Sequence, residues 1–168
     1  MIMKSILFFT FIILNLFSTA QTLNIDVLRK EYSKVKTDSA GCAKLYERLV
    51  KENSTDNTFV CYKGAISTVM ANYSTSKIEK FKLFNEGKKL IEQCIAKDTN
   101  NTELRFLRFT VQTSCPKALG YNHQIENDKK IIVANYNSIK SSVLHYTMFG
   151  YLYNSKYLTE EEKYKITH

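Results

Sequence analysis

Residues 103–121, with the sequence ELRFLRFTVQTSCPKALGY, decide how this chain folds. Their helical periodicity places two stripes on opposite faces: Leu104, Leu107, Val111 and Cys115 on one, and Phe106, Phe109 and Thr113 on the other. Pro116 cannot continue a helix, so we expect the helix to end there and a loop to follow. The two stripes predict that this helix is embedded between neighbours on both sides.

Three polar residues, Arg105, Arg108 and Gln112, lie between the two stripes. Neighbouring helices would shield this row from water. A buried guanidinium requires carboxylate or carbonyl oxygens, and its planar fork can bind two of them at once. We therefore expect the row to be paired rather than simply solvated.

The nearest oxygens in the sequence are the carbonyls of residues 114–121 and the acids Glu126 and Asp128 of the next helix. One interpretation is that the arginine row clamps this loop and forms salt bridges to that helix. The other is that the row faces a groove and holds an acidic or C-terminal group of a peptide. The first predicts a structural role and the second a binding role.

Tyrosines supply the remaining candidate binding residues. Tyr121 ends the loop, and residues 143–158, VLHYTMFGYLYNSKYL, are the most aromatic stretch of the chain. Tyr146 and Tyr153 belong to one face of a predicted helix there, while Leu144, Met148 and Leu152 form another. Core packing explains most of this pattern, but tyrosine is also frequent at contact surfaces. Tyr121, Tyr146 and Tyr153 are thus candidates for partner binding or for holding the loop.

The first twenty residues have the features of a cleaved signal peptide. Lys4 precedes the apolar run ILFFTFIILNLF, and Ser18 and Ala20 stand at the small-residue positions before Gln21. The run is short for a membrane span, so we expect no stable span after cleavage. The sequence predicts one exported domain, residues 21–168, in the periplasm or outside the cell.

The chain is basic, with 24 Lys and Arg against 16 Asp and Glu and a formal net charge of +8. These cations are interleaved with acids, as in IEKFKLFNEGKKLIEQ, rather than gathered into a stripe. Such a pattern does not favour nucleic acid as a partner. It is typical of a basic, solvated surface that attracts acidic partners.

Four cysteines, Cys42, Cys61, Cys94 and Cys115, follow the predicted cleavage site. Their wide spacing contains no Cys-x-x-Cys, which argues against a zinc ribbon or a thioredoxin-type pair. They are either core thiols or, since export permits oxidation, partly bridged. If one bridge forms, Cys61–Cys94 is the favoured pair.

Helical periodicity extends along almost the whole mature chain, and no stretch alternates at period two. Breaks rich in Asn, Ser, Thr, Asp and Gly separate eight predicted helices: 24–36, 39–52, 58–72, 76–97, 102–114, 123–137, 141–154 and 159–166. Four residues are predicted N-caps: Asp38, Asn57, Ser76 and Thr159, the last with Glu162 in a capping box. The fold class is therefore all-α, built from antiparallel helix hairpins.

Small residues suggest a repeat. Gly87, Ile91 and Cys94 have the spacing of the second helix of a tetratricopeptide repeat, and Gly64 and Ala65 that of a matching first helix. Gly64 and Gly87 are too far apart in sequence for a regular repeat of this kind. We expect an irregular, right-handed tetratricopeptide-like array of about seven or eight helices, with an irregular bundle as the alternative.

No catalytic, metal or cofactor motif is recognisable. His123 and His145 stand in no ligand spacing, and the chain has neither a nucleophile elbow nor a phosphate-binding glycine loop. We therefore expect neither an enzyme nor a cofactor.

One segment resembles a known group of proteins. Glu-Leu-Arg-Phe-Leu-Arg at 103–108, Gln112, Pro116, Leu-Gly-Tyr at 119–121 and Asp128-Lys129 are similar to a motif of small uncharacterised exported helical proteins of Bacteroidota. The resemblance covers residues 103–132 and does not include Cys115. It implies export and a helical, repeat-like fold, and it implies no activity.

Two functions remain from the sequence. The first is a helical-repeat module that binds an unidentified protein or peptide outside the cytoplasm. The second is a stand-alone structural helical domain without a specific ligand. A concave surface carrying the arginines or tyrosines would favour the first.

Overall fold

A computed structural model describes residues 23–52 and 54–168, so the predicted signal peptide lies outside the described residues. Eight α-helices make up the described chain: α1 (Ile25–Tyr32), α2 (Ser39–Lys51), α3 (Asn57–Tyr73), α4 (Lys77–Lys97), α5 (Thr102–Gln112), α6 (Ile125–Asn135), α7 (Ser142–Tyr153) and α8 (Glu160–Thr167). Short 3₁₀ turns at Lys117–Leu119 and Tyr136–Ser138 complete it, and no strand occurs in these residues. The all-α prediction is confirmed, with each predicted helix present.

Side-chain caps begin most of these helices. Asp38 and Ser76 accept backbone N–H bonds at the starts of α2 and α4, and Thr159 and Glu162 form the predicted capping box of α8. The expectation for α3 was wrong by one residue, because the carboxylate of Asp56 accepts from Thr58 and Phe59. Asn57 instead donates its side-chain amide to the carbonyl of Cys94, 2.9 Å away.

Helices α3 and α4 form a tight antiparallel hairpin. A Cβ atom added at Gly64 would lie 2.8 Å from the carbonyl oxygen of Gly87, and one added at Gly87 would overlap that of Gly64. Only the absence of both side chains lets the backbones approach so closely. The predicted close contact of small residues is confirmed.

Helix α5 lies between two hydrophobic cores, and every residue from Glu103 to Gln112 is buried. Leu104, Leu107 and Val111 pack into a core shared with α1 to α4. Phe106 and Phe109 pack into a second core with α6, α7 and α8. The two stripes predicted for residues 103–113 therefore face two separate layers.

Helix α1 reaches across to α7, far along the chain. Arg29 donates to the hydroxyl of Ser141 at 3.1 Å, and Lys36, just after α1, donates to the hydroxyl of Tyr151 at 3.2 Å. These contacts place α1 beside α3, α5 and α7.

Candidate functional site

The two arginines of α5 converge on one buried acid of α6. Asp128 is fully buried and accepts from Arg105 Nη1 at 3.0 Å and from Arg108 Nε and Nη2, each at 2.7 Å. The last two bonds are a bidentate pairing, the strongest geometry available to a guanidinium. The predicted salt bridge to the next helix is thus present at Asp128, whereas Glu126 pairs with Lys129 instead.

Arg108 also ties the loop after α5, but indirectly. Its Nη1 donates to Glu92 of α4 at 2.7 Å, and the other oxygen of Glu92 accepts from the hydroxyl of Tyr121 at 2.6 Å. Burial disfavours the charged guanidinium, but Asp128 and Glu92 outweigh burial and raise the pKa of Arg108. Burial and the neighbouring Glu92 carboxylate raise the pKa of Tyr121.

The predicted direct clamp on the loop carbonyls of residues 114–121 is wrong. Arg105 donates Nε and Nη2 to the carbonyl of Thr99, at 2.9 and 2.6 Å, in the loop that precedes α5. Long side chains on a helix point back toward its N-terminus, which is why they reach that loop rather than the following one. Gln112 is buried, yet its amide makes no hydrogen bond within the described residues.

A second ion pair, between Arg29 of α1 and the buried Glu103 of α5, was not predicted from the sequence. Glu103 accepts from Arg29 at 2.7 and 2.5 Å and from the hydroxyl of Tyr62 at 2.8 Å. The pKa of Arg29 is raised chiefly by its hydrogen bond to Glu103. No local pattern marks Glu103, because polar residues precede it and its partners Arg29 and Tyr62 lie 74 and 41 residues earlier in the chain.

The surface carries a cavity of about 600 Å³ between α3, α4 and the segment after α5. Its apolar lining includes Val69 and Tyr73 of α3, Phe81 and Phe84 of α4, and Leu119. Phe81 is 64 % exposed, although it is a large apolar side chain. Such exposure of aromatic surface inside a depression is characteristic of binding sites.

A second cavity, of about 470 Å³, adjoins the first. Residues of α1, α3, α5 and α7 line it, including Phe106, Tyr146 and Tyr151. Four residues line both cavities: Tyr32, Lys36, Val69 and Thr110. We call the two cavities together the groove, with Lys36 at their junction.

The candidate tyrosines separate into three environments. Tyr146 lines the groove and is 78 % exposed. Tyr153 is exposed outside both cavities and stacks on Phe149, with ring centroids 5.3 Å apart. Tyr121 is buried in the network with Glu92. Only Tyr146 thus meets the sequence-based expectation of a tyrosine on a concave surface.

Cys61 and Cys94 face each other within the α3–α4 hairpin. All four cysteines are free, and these two are buried. The neighbouring Cys94 thiol, together with burial, raises the pKa of Cys61. The hydrogen bond between the two thiols lowers the pKa of Cys94. Both thiols are nonetheless enclosed by the protein, so this pair belongs to the core rather than to an accessible nucleophilic site.

Within residues 23–52 and 54–168, no group of three or more His, Cys, Asp or Glu side chains is placed to hold a metal ion. None of the helices described there is both long and apolar enough to cross a bilayer. Comparison with known proteins yields no family model, no curated protein and no solved structure that matches the chain.

Proposed function

We propose that the chain is an exported helical-repeat-like module that binds a protein or peptide in the groove. The observation that carries the proposal is the pair of adjoining cavities, which leave Phe81 and Tyr146 exposed to solvent. Leaving such apolar surface in contact with water is unfavourable, and a bound partner would cover it. The role is binding rather than catalysis.

The arrangement of the helices supports the interpretation of this fold as a tetratricopeptide-like array. The second cavity is lined by α1, α3, α5 and α7, the first helices of successive hairpins. The glycine contact between α3 and α4 supplies the close helix approach expected of such hairpins. A concave face formed by alternate helices is the usual binding face of solenoid proteins. The array departs from an open solenoid in that α1 also contacts α7.

A stand-alone structural domain is the second candidate. One observation favours it: Arg105 and Arg108, the residues first suspected of binding, are satisfied by Asp128, Glu92 and Thr99. The groove does not use either arginine. The two candidates therefore differ only in whether the groove is occupied.

Site-specific photocrosslinking in the native host tests the occupancy of the groove. A photoreactive residue would replace Tyr146 in the groove or, as a matched control, the exposed Tyr164 of α8, which lines neither cavity. The proposal predicts a discrete crosslinked product for Tyr146 and none of that mass for Tyr164.

A blocking variant makes the test specific. Gly150 of α7 lines the second cavity, and a Cβ atom added there would meet no atom within 4 Å, so Gly150→Trp introduces a bulky side chain at the cavity without a clash at its first carbon. We expect Gly150→Trp to abolish the Tyr146 crosslink and Gly150→Ala to retain it. A crosslink that survives Gly150→Trp, or no crosslink at Tyr146, would favour the structural domain.

A further inference from the structure

The charges that line the groove all have one sign. Four charged residues contribute to its walls: Arg29, Lys36, Lys77 and Lys80. Aspartate and glutamate are absent from both linings. Arg29 is neutralised by Glu103 and Asp26, which leaves three lysines as the effective charge of the groove.

These three lysines lack acidic partners. Within residues 23–52 and 54–168, no salt bridge includes Lys36, Lys77 or Lys80, so no carboxylate of that part of the chain compensates the charge that these lysines bring to the groove. Lys36 donates only to the hydroxyls of Ser114 and Tyr151, at 2.6 and 3.2 Å. Its ammonium also lies 4.5 Å from the centre of the Tyr151 ring. Unpaired cations beside apolar walls give the groove a field that attracts carboxylates.

The same walls offer a partner for a peptide backbone. Asn72 lines the first cavity, is exposed, and makes no side-chain hydrogen bond within the described residues. A side-chain amide can donate to a backbone carbonyl and accept from a backbone N–H at the same time. A simple fatty acid has no group that would use both functions, so this residue favours a peptide over a lipid.

We infer that the groove takes an extended acidic peptide in which a carboxylate is flanked by large apolar side chains. This inference rests on the proposed function and names its ligand class. Lys36 stands where the two cavities meet, so a carboxylate paired with it places one apolar neighbour in each cavity. Lys77 and Lys80, which line the first cavity, would pair with further acids of the peptide there.

Selection from a random peptide library displayed on phage tests the ligand class with the mature protein, residues 21–168. The selected peptides are then synthesised with their acids intact or replaced by Asn and Gln, and affinities are measured by fluorescence polarisation. We expect enrichment of Asp or Glu between apolar residues and a loss of affinity of about tenfold on amide replacement. Affinity should also fall as salt is raised, because the lysines are accessible to solvent.

Lysine variants on one helix supply the matched control. Lys77→Gln with Lys80→Gln removes two charges from the groove, whereas Lys82→Gln with Lys89→Gln removes two from α4 outside it. We expect Lys36→Gln, and the double variant at Lys77 and Lys80, to lower the affinity for the acidic peptides severalfold. The double variant at Lys82 and Lys89 should leave this affinity nearly unchanged. Circular dichroism checks that each variant is folded.

The outcomes distinguish the ligand class from the groove itself. A contrary outcome is tight binding of peptides without acids in the groove, which is shown when they bind the wild-type protein but not Gly150→Trp. That result would overturn the acidic ligand class and leave the groove function standing. A fatty acid that copurifies with the protein, or a dimer abolished by Gly150→Trp, would overturn the peptide in favour of that occupant. If the wild-type protein enriches peptides no better than the Gly150→Trp variant does, both proposals are overturned.

Discussion

At Asp128, two guanidinium groups converge on one carboxylate that water does not reach. Removal of one partner leaves the others charged, buried and only partly paired, which costs more than the pair itself contributes. The network is therefore a point at which α4, α5 and α6 depend on one another.

We predict that Arg108→Leu lowers the free energy of unfolding by about 2–4 kcal/mol, because Glu92 loses its guanidinium and Asp128 keeps only Arg105. Arg48→Leu is the control, since its pair with Glu31 is more than a third exposed and contributes less than about 1 kcal/mol. Urea unfolding measures both. An unchanged midpoint for Arg108→Leu would contradict the structural role of the network.

The cysteines offer a second test at the residue scale. In the reduced native protein we expect Cys115 to react first with a thiol reagent, because it is the only one of the four that is partly exposed. Burial raises its pKa, so its reaction should accelerate well above neutral pH. Mass spectrometry of the labelled sites measures the order.

Oxidised protein should contain a Cys61–Cys94 bridge if any bridge forms, since these thiols are neighbours within the α3–α4 hairpin. Titration of the unfolded, unreduced protein decides the point. Four free thiols in protein taken from its native compartment would show that no bridge forms there.

Helix packing makes two glycines respond in opposite ways. Gly87→Ala places a methyl group against the backbone of α3, so we predict destabilisation by about 1–3 kcal/mol. Gly150→Ala introduces its methyl group into open space within a helix and should stabilise by about 0.5–1 kcal/mol. Thermal unfolding compares the two. Equal effects would mean that the backbones of α3 and α4 do not meet at Gly87.

Helix α8 depends on the ionisation of Glu162. Its carboxylate accepts from the backbone N–H of Thr159 at 2.8 Å and lies 3.3 Å from the ammonium of Lys129. Burial opposes ionisation, but Thr159 and Lys129 favour it more strongly, so the pKa of Glu162 falls below 4.5. A group with a lowered folded pKa stabilises above its unfolded pKa and loses this contribution as pH falls through the folded value.

We therefore predict that the amides of α8 lose protection from hydrogen exchange as pH falls below about 4.5. Glu162→Gln should show the lower protection already at neutral pH and a weaker pH dependence. Glu160→Gln is the matched control, because Glu160 belongs to the same helix and is 90 % exposed. Identical pH profiles for wild type and Glu162→Gln would contradict the prediction.

At the scale of the whole molecule, export is the prediction that most affects function. Protein purified from the native host should begin at Gln21 if the first twenty residues are a cleaved signal peptide. Ala20→Arg should block processing, because the site before the cut requires a small residue. Intact mass spectrometry of the exported fraction measures both, and a cytoplasmic protein that retains Met1 would contradict the localisation.

The helices and most of their first residues could be predicted from the amino-acid sequence alone. Helical periodicity, Pro116 and residues such as Asp38 and Thr159 act through neighbours only a few positions away. The exception at Asn57 is also local, because the preceding residue, Asp56, caps α3, and the Asn57 amide instead donates across the hairpin to the carbonyl of Cys94. The two-faced character of α5 was readable for the same local reason.

Helix packing, by contrast, sets which oxygens the arginines use and where a ligand could lie. Glu92 and Asp128 lie 16 and 20 residues from Arg108, and Arg29 lies 74 residues from Glu103. The groove likewise assembles from residues of α1, α3, α4, α5 and α7. Periodicity reports which face of a helix is buried, but the partner of that face depends on how the helices pack, and no local pattern encodes that packing.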